Sequence, residues 1–193
     1  MSFDAIWDSE RLKYETVWGG YPEYRTQADG DPVVDLAFKQ LGCKPGESLI
    51  DWGCGKGTPA QRLQAKGLKV TGFDIARNCL DKDVKIPLIV GSMWDPPPWV
   101  QQADYAFCTD VLEHLPPDRL ELALSQMCRL TRKAAFIQVC TVLDTSGPKM
   151  NPPMRLHLSV YSHEWWGEHL AAYWTIEDSG KRGKARSWFV CRK

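Results

Sequence analysis

"SLIDWGCGKGTPAQRLQAKGLKVTGFDIA", residues 48 to 76, decides the fold. SLIDW is a short apolar run bounded by turn formers and reads as a buried strand. PAQRLQAKG has helix-forming composition, and LKVTGFD is a second apolar run ending on Asp74. Strand, glycine-rich turn, helix and strand together outline a nucleotide-binding βαβ unit. Gly53, Gly55 and Gly57 give G-x-G-x-G directly behind the first strand, where glycine permits a tight turn and close approach of a ligand to the backbone. Alone, such glycines are a weak signal.

Two acids sharpen it. Asp74 stands 17 residues after Gly57, at the end of the second strand, where a carboxylate can accept hydrogen bonds from both hydroxyls of a ribose. Asp51 precedes the first glycine by two residues. Its charge would repel a pyrophosphate and attract an ammonium group. A ligand with a ribose and an amino-acid part but no phosphate is S-adenosyl-L-methionine. The alternative is that Asp51 anchors the loop by accepting backbone N–H bonds.

The alternation continues outward. ARNCLDKD reads as a short helix, KIPLIVG and ADYAFCTD as strands, and residues 118 to 130 as an amphipathic helix with Leu120, Leu124 and Met127 on one face and Asp118 capping its start. AAFIQVCTVL is a further strand, SHEWWGEHLAAY a helix with Ser162 as N-cap, and YWTIED and ARSWFVCRK two strands joined by SGKRGK. VVDLAFKQLG, residues 33 to 42, reads as a helix stopped by Gly42, and CKPGES as a turn. The expectation is one domain over residues 1 to 193: an N-terminal arm or lid (1–32, with a short helix near 8–17) and an α/β Rossmann-like core (33–193). The core carries a mostly parallel sheet with an antiparallel C-terminal edge hairpin and helices on both faces.

The totals fit. Of 193 residues, 44% are apolar and 25% charged, with zero formal net charge, so no broad nucleic-acid footprint is expected. No apolar run is long enough for a membrane span, and the N-terminus lacks the pattern of a secretory signal, which points to a cytoplasmic protein. The seven cysteines form no C-x-x-C pair and read as reduced, mostly buried thiols, with no metal framework. Several of the nine tryptophans, among them Trp7, Trp18, Trp94, Trp99, Trp165 and Trp166, flank loops, where they could wall a pocket or cap the core.

LIDWGCGKGTPAQRL, VTGFDIA and ADYAFCTDVLEHLP together resemble class I S-adenosylmethionine-dependent methyltransferases, most of all the small-molecule branch that includes ubiquinone-biosynthesis O-methyltransferases. The resemblance covers about residues 33 to 177. It implies a seven-stranded sheet with one strand reversed and a ligand across the carboxyl ends of the strands. It also implies that Asp51, Gly53, Cys54 and Gly55 form the loop at the methionine part, with Asp74 at the ribose and Ile75 beside adenine. Ser92 and Met93 lie in the segment after the third strand. Ser92 departs from the acid that relatives often place there, leaving Met93 or a backbone group to take over its adenine contact. Thr109 and Asp110 match the end of the fourth strand, under the reactive methyl group.

For the chemistry, Asp110 is a candidate base, or a loop-fixing or cofactor-amine contact. His114, in the family's "EHL", is a candidate that reads more as structural. His157, in MRLHLSVYSHEWW, is a candidate base and acceptor contact, or a hydrogen-bonded loop histidine. Tyr21, Tyr24 and Arg25 of the arm could meet adenosyl or acceptor groups, Arg25 as a carboxylate partner, or pack as a flap. KRGKAR, near the C-terminus, reads as a solvated hairpin tip in preference to an anion site. The expected function is methyl transfer to a heteroatom of a small or carbohydrate-like acceptor. The alternatives are a nucleotide- or nucleic-acid-modifying methyltransferase, a non-catalytic cofactor-binding module, and a dinucleotide oxidoreductase. The N-P-P-M at 151 to 154 loosely resembles the N-P-P-Y of amino-methylating DNA enzymes, but it follows the fifth strand and reads as loop. Oligomeric state and the identity of the acceptor are not legible.

Overall fold

The computed structural model describes residues 5–26 and 28–193; residues 1–4 and 27 of the expected arm lie outside them. Seven strands form one sheet: β1 (Ser48–Trp52), β2 (Lys69–Asp74), β3 (Leu88–Val90), β4 (Ala103–Thr109), β5 (Thr131–Cys140), β6 (Thr175–Arg182) and β7 (Arg186–Arg192), in the order β3-β2-β1-β4-β5-β7-β6. The first five pair in parallel, while β7 runs antiparallel to both β5 and β6. The helices are α1 (Ala5–Gly20), α2 (Val34–Leu41), α3 (Thr58–Ala65), α4 (Pro117–Leu130) and α5 (His163–Leu170).

The central strands read as unbroken apolar runs because both of their faces are covered. Leu49, Tyr105, Phe107, Ala134, Phe136 and Val190 pack with Val34, Ala37, Leu41, Ala60 and Leu63 of α2 and α3. Their neighbours Ile50, Trp52, Ala106, Cys108, Ala135 and Ile137 pack on the other face with Leu120, Leu124 and Met127 of α4 and Trp166 and Leu170 of α5. β1 lies between β2 and β4, so the chain order reverses there. A crevice opens at such a switch point, beyond the carboxyl ends of the strands.

Several boundaries differ from expectation. Residues 76–83 are not helical: Asp74 takes the N–H of Ala76 and the Lys56 carbonyl takes that of Asp81, so this segment's donors serve the glycine loop. β3 is shorter than KIPLIVG because Pro87 has no N–H and contributes only its carbonyl, to Gly72. Asp118 does not cap α4; Pro116 is the cap residue and Asp118 sits exposed in the first turn, where its charge still suits the helix dipole. β5 ends at Cys140, leaving Val142 and Leu143 exposed. The last hairpin turns at Gly183, φ +65°, and not over SGKRGK; Ser179–Arg182 belong to β6, a polar edge strand that discourages further pairing. Ser162 does cap α5, accepting from Trp165 N at 3.2 Å. The expected short helix near 8–17 is the longer α1, with Val17 fully buried.

Candidate functional site

The glycine loop leaves β1 at Gly53 and turns under two constraints. Gly53 has φ +67°, and a Cβ there would lie 2.4 Å from Val111 Cγ2; Gly55 has φ +51°, and a Cβ would meet the Trp18 ring at 3.0 Å. Only glycine satisfies both. The N–H groups of Gly53 and Cys54 bond to the Phe73 carbonyl, which ties the loop to β2.

The two acids divide the work differently from the simplest reading. Asp74 fixes the loop: Oδ2 accepts from Gly55 N and Oδ1 from Ala76 N, each at 2.9 Å. Each oxygen retains a second lone pair toward the crevice. Burial lifts the Asp74 carboxyl to about 6 against these backbone bonds. Asp51 is 2% exposed, and its Oδ2 is buried with no hydrogen-bond partner among the described residues. Burial, and behind it the charges of Asp74 and Asp31, pushes its carboxyl well up. A buried carboxylate oxygen left unpaired is costly and implies a missing donor. The loop-anchoring role considered for Asp51 therefore belongs to Asp74.

Two adjoining cavities share the rim of Gly53, Gly55, Trp18 and Asp110. The smaller, about 110 Å³, has Asp74 on its wall and apolar sides from Ile75, Met93, Trp94, Tyr14 and Trp18. The larger, about 470 Å³, is lined by Asp51, Cys54, Thr109, Asp110, His114, Cys140, His157 and Arg186, among others. Of the expected cofactor residues, Ser92 lines neither. Its hydroxyl folds back onto the Asp95 backbone, and Met93 takes the wall. Cys54 is buried, its thiol pushed well up first by a hydrogen bond with Cys79 and then by burial. The donor set fits S-adenosylmethionine: an orphaned carboxylate for an ammonium, an acid for a ribose, and aromatic and aliphatic walls for an adenine.

The arm residues behave unequally. Tyr24 lines both cavities, edge-on to Trp18 at 5.0 Å. Tyr21 does not reach either, since its hydroxyl bonds to the backbone of Asn151. Arg25 also misses both. Its guanidinium is spent on the carbonyls of Trp18, Asn78 and Cys79 and on Asp81 at 3.0 Å, so it latches the arm to the loop after β2 and is not a free carboxylate partner. Tyr14 and Trp18, four residues apart on α1, face the cavities together.

Asp110 sits in the left-handed region, φ +54°, at the tip of β4. Its carboxylate is held by Gln138 Nε2 and by Arg186 Nε at 2.8 Å, and the same guanidinium bonds Asp29. Burial raises its pKa, Arg186 opposes that, and Asp29 adds to it. His114 accepts from the Tyr14 hydroxyl at Nδ1, 2.8 Å, and burial is the main force holding it down to about 3, so its ring is neutral. The His157 ring stands edge-on to it at 4.7 Å, its Nδ1 bonded to the Val142 carbonyl at 2.8 Å. Asp29, Gln138 and Cys140 carried no motif, and Arg182 and Arg186 of KRGKAR, expected at a solvated hairpin tip, turn inward onto Gln138, Asp29 and Asp110. They meet only because β5, the β6–β7 hairpin and the segment before α2 converge.

Known proteins share this fold. A family described as a methyltransferase domain matches residues 23–181. Sterol methyltransferase-like 2 of Botryococcus braunii is 25% identical over 159 residues, 77% of this chain and 40% of that protein, so the chain spans well under half of this curated relative. Among solved structures, the 1,6-didemethyltoxoflavin-N1-methyltransferase of Burkholderia thailandensis, with S-adenosylhomocysteine bound, is 19% identical with a TM-score of 0.72 over 95% of this chain and 86% of that one. The magnesium protoporphyrin IX methyltransferase of Synechocystis, with S-adenosylmethionine bound, is 16% identical with a TM-score of 0.68 over 95% and 97%. At these identities the solved structures establish the fold, and the family match covers most of the chain. The chain belongs to the methyltransferase-domain family.

Proposed function

We propose that this chain, folded as a single domain with α1 and the following turn as a lid, transfers a methyl group from S-adenosylmethionine to a heteroatom of a small or carbohydrate-like acceptor held in the larger cavity. The observation that carries the proposal is the pair of adjoining cavities. The smaller has the walls for an adenosine, and the larger, about 470 Å³, begins at Asp51 and Asp110 and is sized for a small molecule. Two of the matched solved structures are named for small-molecule acceptors, 1,6-didemethyltoxoflavin and magnesium protoporphyrin IX, and the curated relative is named as sterol methyltransferase-like, which supports a small-molecule acceptor. No helix among the described residues is long and apolar enough to cross a membrane. The free cysteines support a reducing, cytoplasmic setting.

The bound sulfonium supplies an activated methyl group. In this reading Asp51 holds the ammonium of the amino-acid part, and Asp74 accepts from the ribose. The aromatic cover of Tyr14, Trp18 and Tyr24 excludes water, so that proximity supplies much of the rate. Asp110, paired with Arg186, positions the end of β4, and neutral His114 positions Tyr14. His157, whose Nδ1 is engaged by Val142, is left with Nε2 as the nitrogen able to accept an acceptor's proton.

The test is incubation with methyl-labelled S-adenosylmethionine and fractionated small-molecule acceptors, with products identified by mass. Label appearing only in polymer, or cofactor binding with no transfer to any fraction, overturns the proposal.

A further inference from the structure

Among the described residues, two groups bring three metal-binding side chains together: Cys54, Asp74 and Cys79, and Glu113, Cys140 and His157. The first belongs to the site already described, since Cys54 is part of the glycine loop, Asp74 is the acid assigned to the ribose, and all three groups are buried. The second is open. Glu113 is 0% exposed; its Oε1 accepts from Cys140 N at 2.9 Å, and its Oε2 is buried with no partner. The Cys140 thiol and the His157 Nδ1 both donate to one carbonyl, that of Val142, at 3.7 and 2.8 Å, so the two side chains are held side by side. With Nδ1 engaged, the bare nitrogen of His157 is Nε2. A carbonyl fixing the far nitrogen of a histidine is the usual support for a zinc ligand. The segment itself is pinned, since Leu158 N and Ser159 N both donate to the Glu113 carbonyl.

We propose that Glu113, Cys140 and His157 form a zinc site in the wall of the larger cavity, with the fourth coordination position open to that cavity. A His157 ring nitrogen, the Cys140 sulfur and a Glu113 oxygen stand within 4.8 Å of one another. Bonds of about 2.0–2.3 Å at tetrahedral angles place ligand atoms about 3.3–3.8 Å apart, so the cluster must draw inward by up to about 1.5 Å and the His157 ring must present Nε2 to it. One thiolate, one imidazole and one carboxylate suit a borderline-soft divalent ion, and three protein ligands with an open position are the pattern of a catalytic site. On binding, the Cys140 S–H bond breaks, its proton leaves to solvent, and the Zn–S bond forms. Cys140 and His157 line the cavity directly, while Glu113 lies behind them. An acceptor thiol or hydroxyl could complete the coordination; the ion would then occupy Nε2 and replace His157 as the group that promotes loss of the acceptor's proton. That last step rests on the acceptor-cavity reading, whereas the ion itself does not.

The test uses the whole chain, freed of metal, with no cofactor or acceptor, so its failure is separate from failure of the acceptor reading. Zinc is titrated by calorimetry, and cobalt(II) is added as a coloured substitute. The expected result is one equivalent bound, with a thiolate-to-cobalt charge-transfer band in the near ultraviolet. C140S abolishes that band, and C140S and E113Q each weaken zinc binding by at least about 100-fold, above the 10–100-fold cost of losing an outer partner. Both replacements are close in shape, and melting curves check that they fold; if E113Q does not, C140S carries the test alone through the band. No zinc binding, cobalt binding without a thiolate band, or binding unchanged in C140S overturns the proposal.

Discussion

Replacing Asp51 by asparagine should move cofactor affinity and apo stability in opposite directions. The carboxylate is 2% exposed and its Oδ2 lacks a partner, so without cofactor it is a buried charge with nothing to offset it. Its folded pKa is raised well above the unfolded value. A carboxyl shifted in that direction binds its proton more tightly when folded, so its cost to stability grows as pH rises above the unfolded value. Asparagine does not titrate, and the melting temperature of D51N should exceed that of the wild type by more at pH 8 than at pH 5. The ammonium contact proposed for Asp51, by contrast, is one charge-assisted hydrogen bond, about 1.5–3 kcal/mol, so the cofactor Kd should rise about 10- to 150-fold. These combine in a thermal-shift assay. At cofactor 100 times the wild-type Kd, the wild type gains about 2.7 kcal/mol, and a variant with Kd raised at least tenfold gains no more than about 1.4. The variant's lead should therefore shrink by at least about 3–5 °C on adding cofactor. Equal cofactor-induced shifts in the two proteins, or a D51N that melts lower than the wild type at every pH, would refute the reasoning.

Asp74 predicts a pH limit on binding. With its carboxyl lifted to about 6, affinity that needs the ionised form should fall about tenfold between pH 7 and pH 5 and lose that slope in D74N, as read by calorimetry. R25A removes the latch to Asn78, Cys79 and Asp81 and should speed cofactor release in stopped flow while leaving the core's melting temperature nearly unchanged. W166A empties the packing between α5 and the sheet, where Trp166 is fully buried, and should cost about 3–5 kcal/mol in denaturant unfolding without altering the cofactor Kd of the surviving folded protein.

The sheet was legible because its signals are local. Leu49 and Ile50, or Phe107 and Cys108, face opposite cores, and a strand buried on both sides announces itself as an unbroken apolar run. The meeting of Asp51, the glycines and Asp74 at one end of the sheet was legible for the same reason: they lie within one βαβ unit, and their spacing encodes their geometry. What escaped was built from long-range meetings. Arg25 carries a charge that suits an anionic acceptor, yet it is taken up by the Asn78 and Cys79 carbonyls and the Asp81 carboxylate, more than fifty residues away. Trp18 presses on Gly55 only because the turn after α1 brings it there. The supposed helix at 76–83 failed because its polar groups are recruited by the loop, a competition that helical periodicity does not register.

The edge hairpin reads as ornament, but it sets the alignment of the cavity floor. β7 pairs with β5 so that Arg186 lies opposite Cys140 and Trp188 opposite Gln138. From that position Arg186 reaches Asp110 and Asp29. Side chains alternate along a strand, so a slip of one residue would turn the guanidinium to the opposite face and put Ser187 in its place. The turn at Gly183 is thus a ruler: its length decides which residue arrives beneath Asp110. An insertion at this exposed tip, far along the chain from the glycine loop, would unseat the charge beside the larger cavity while leaving that loop intact.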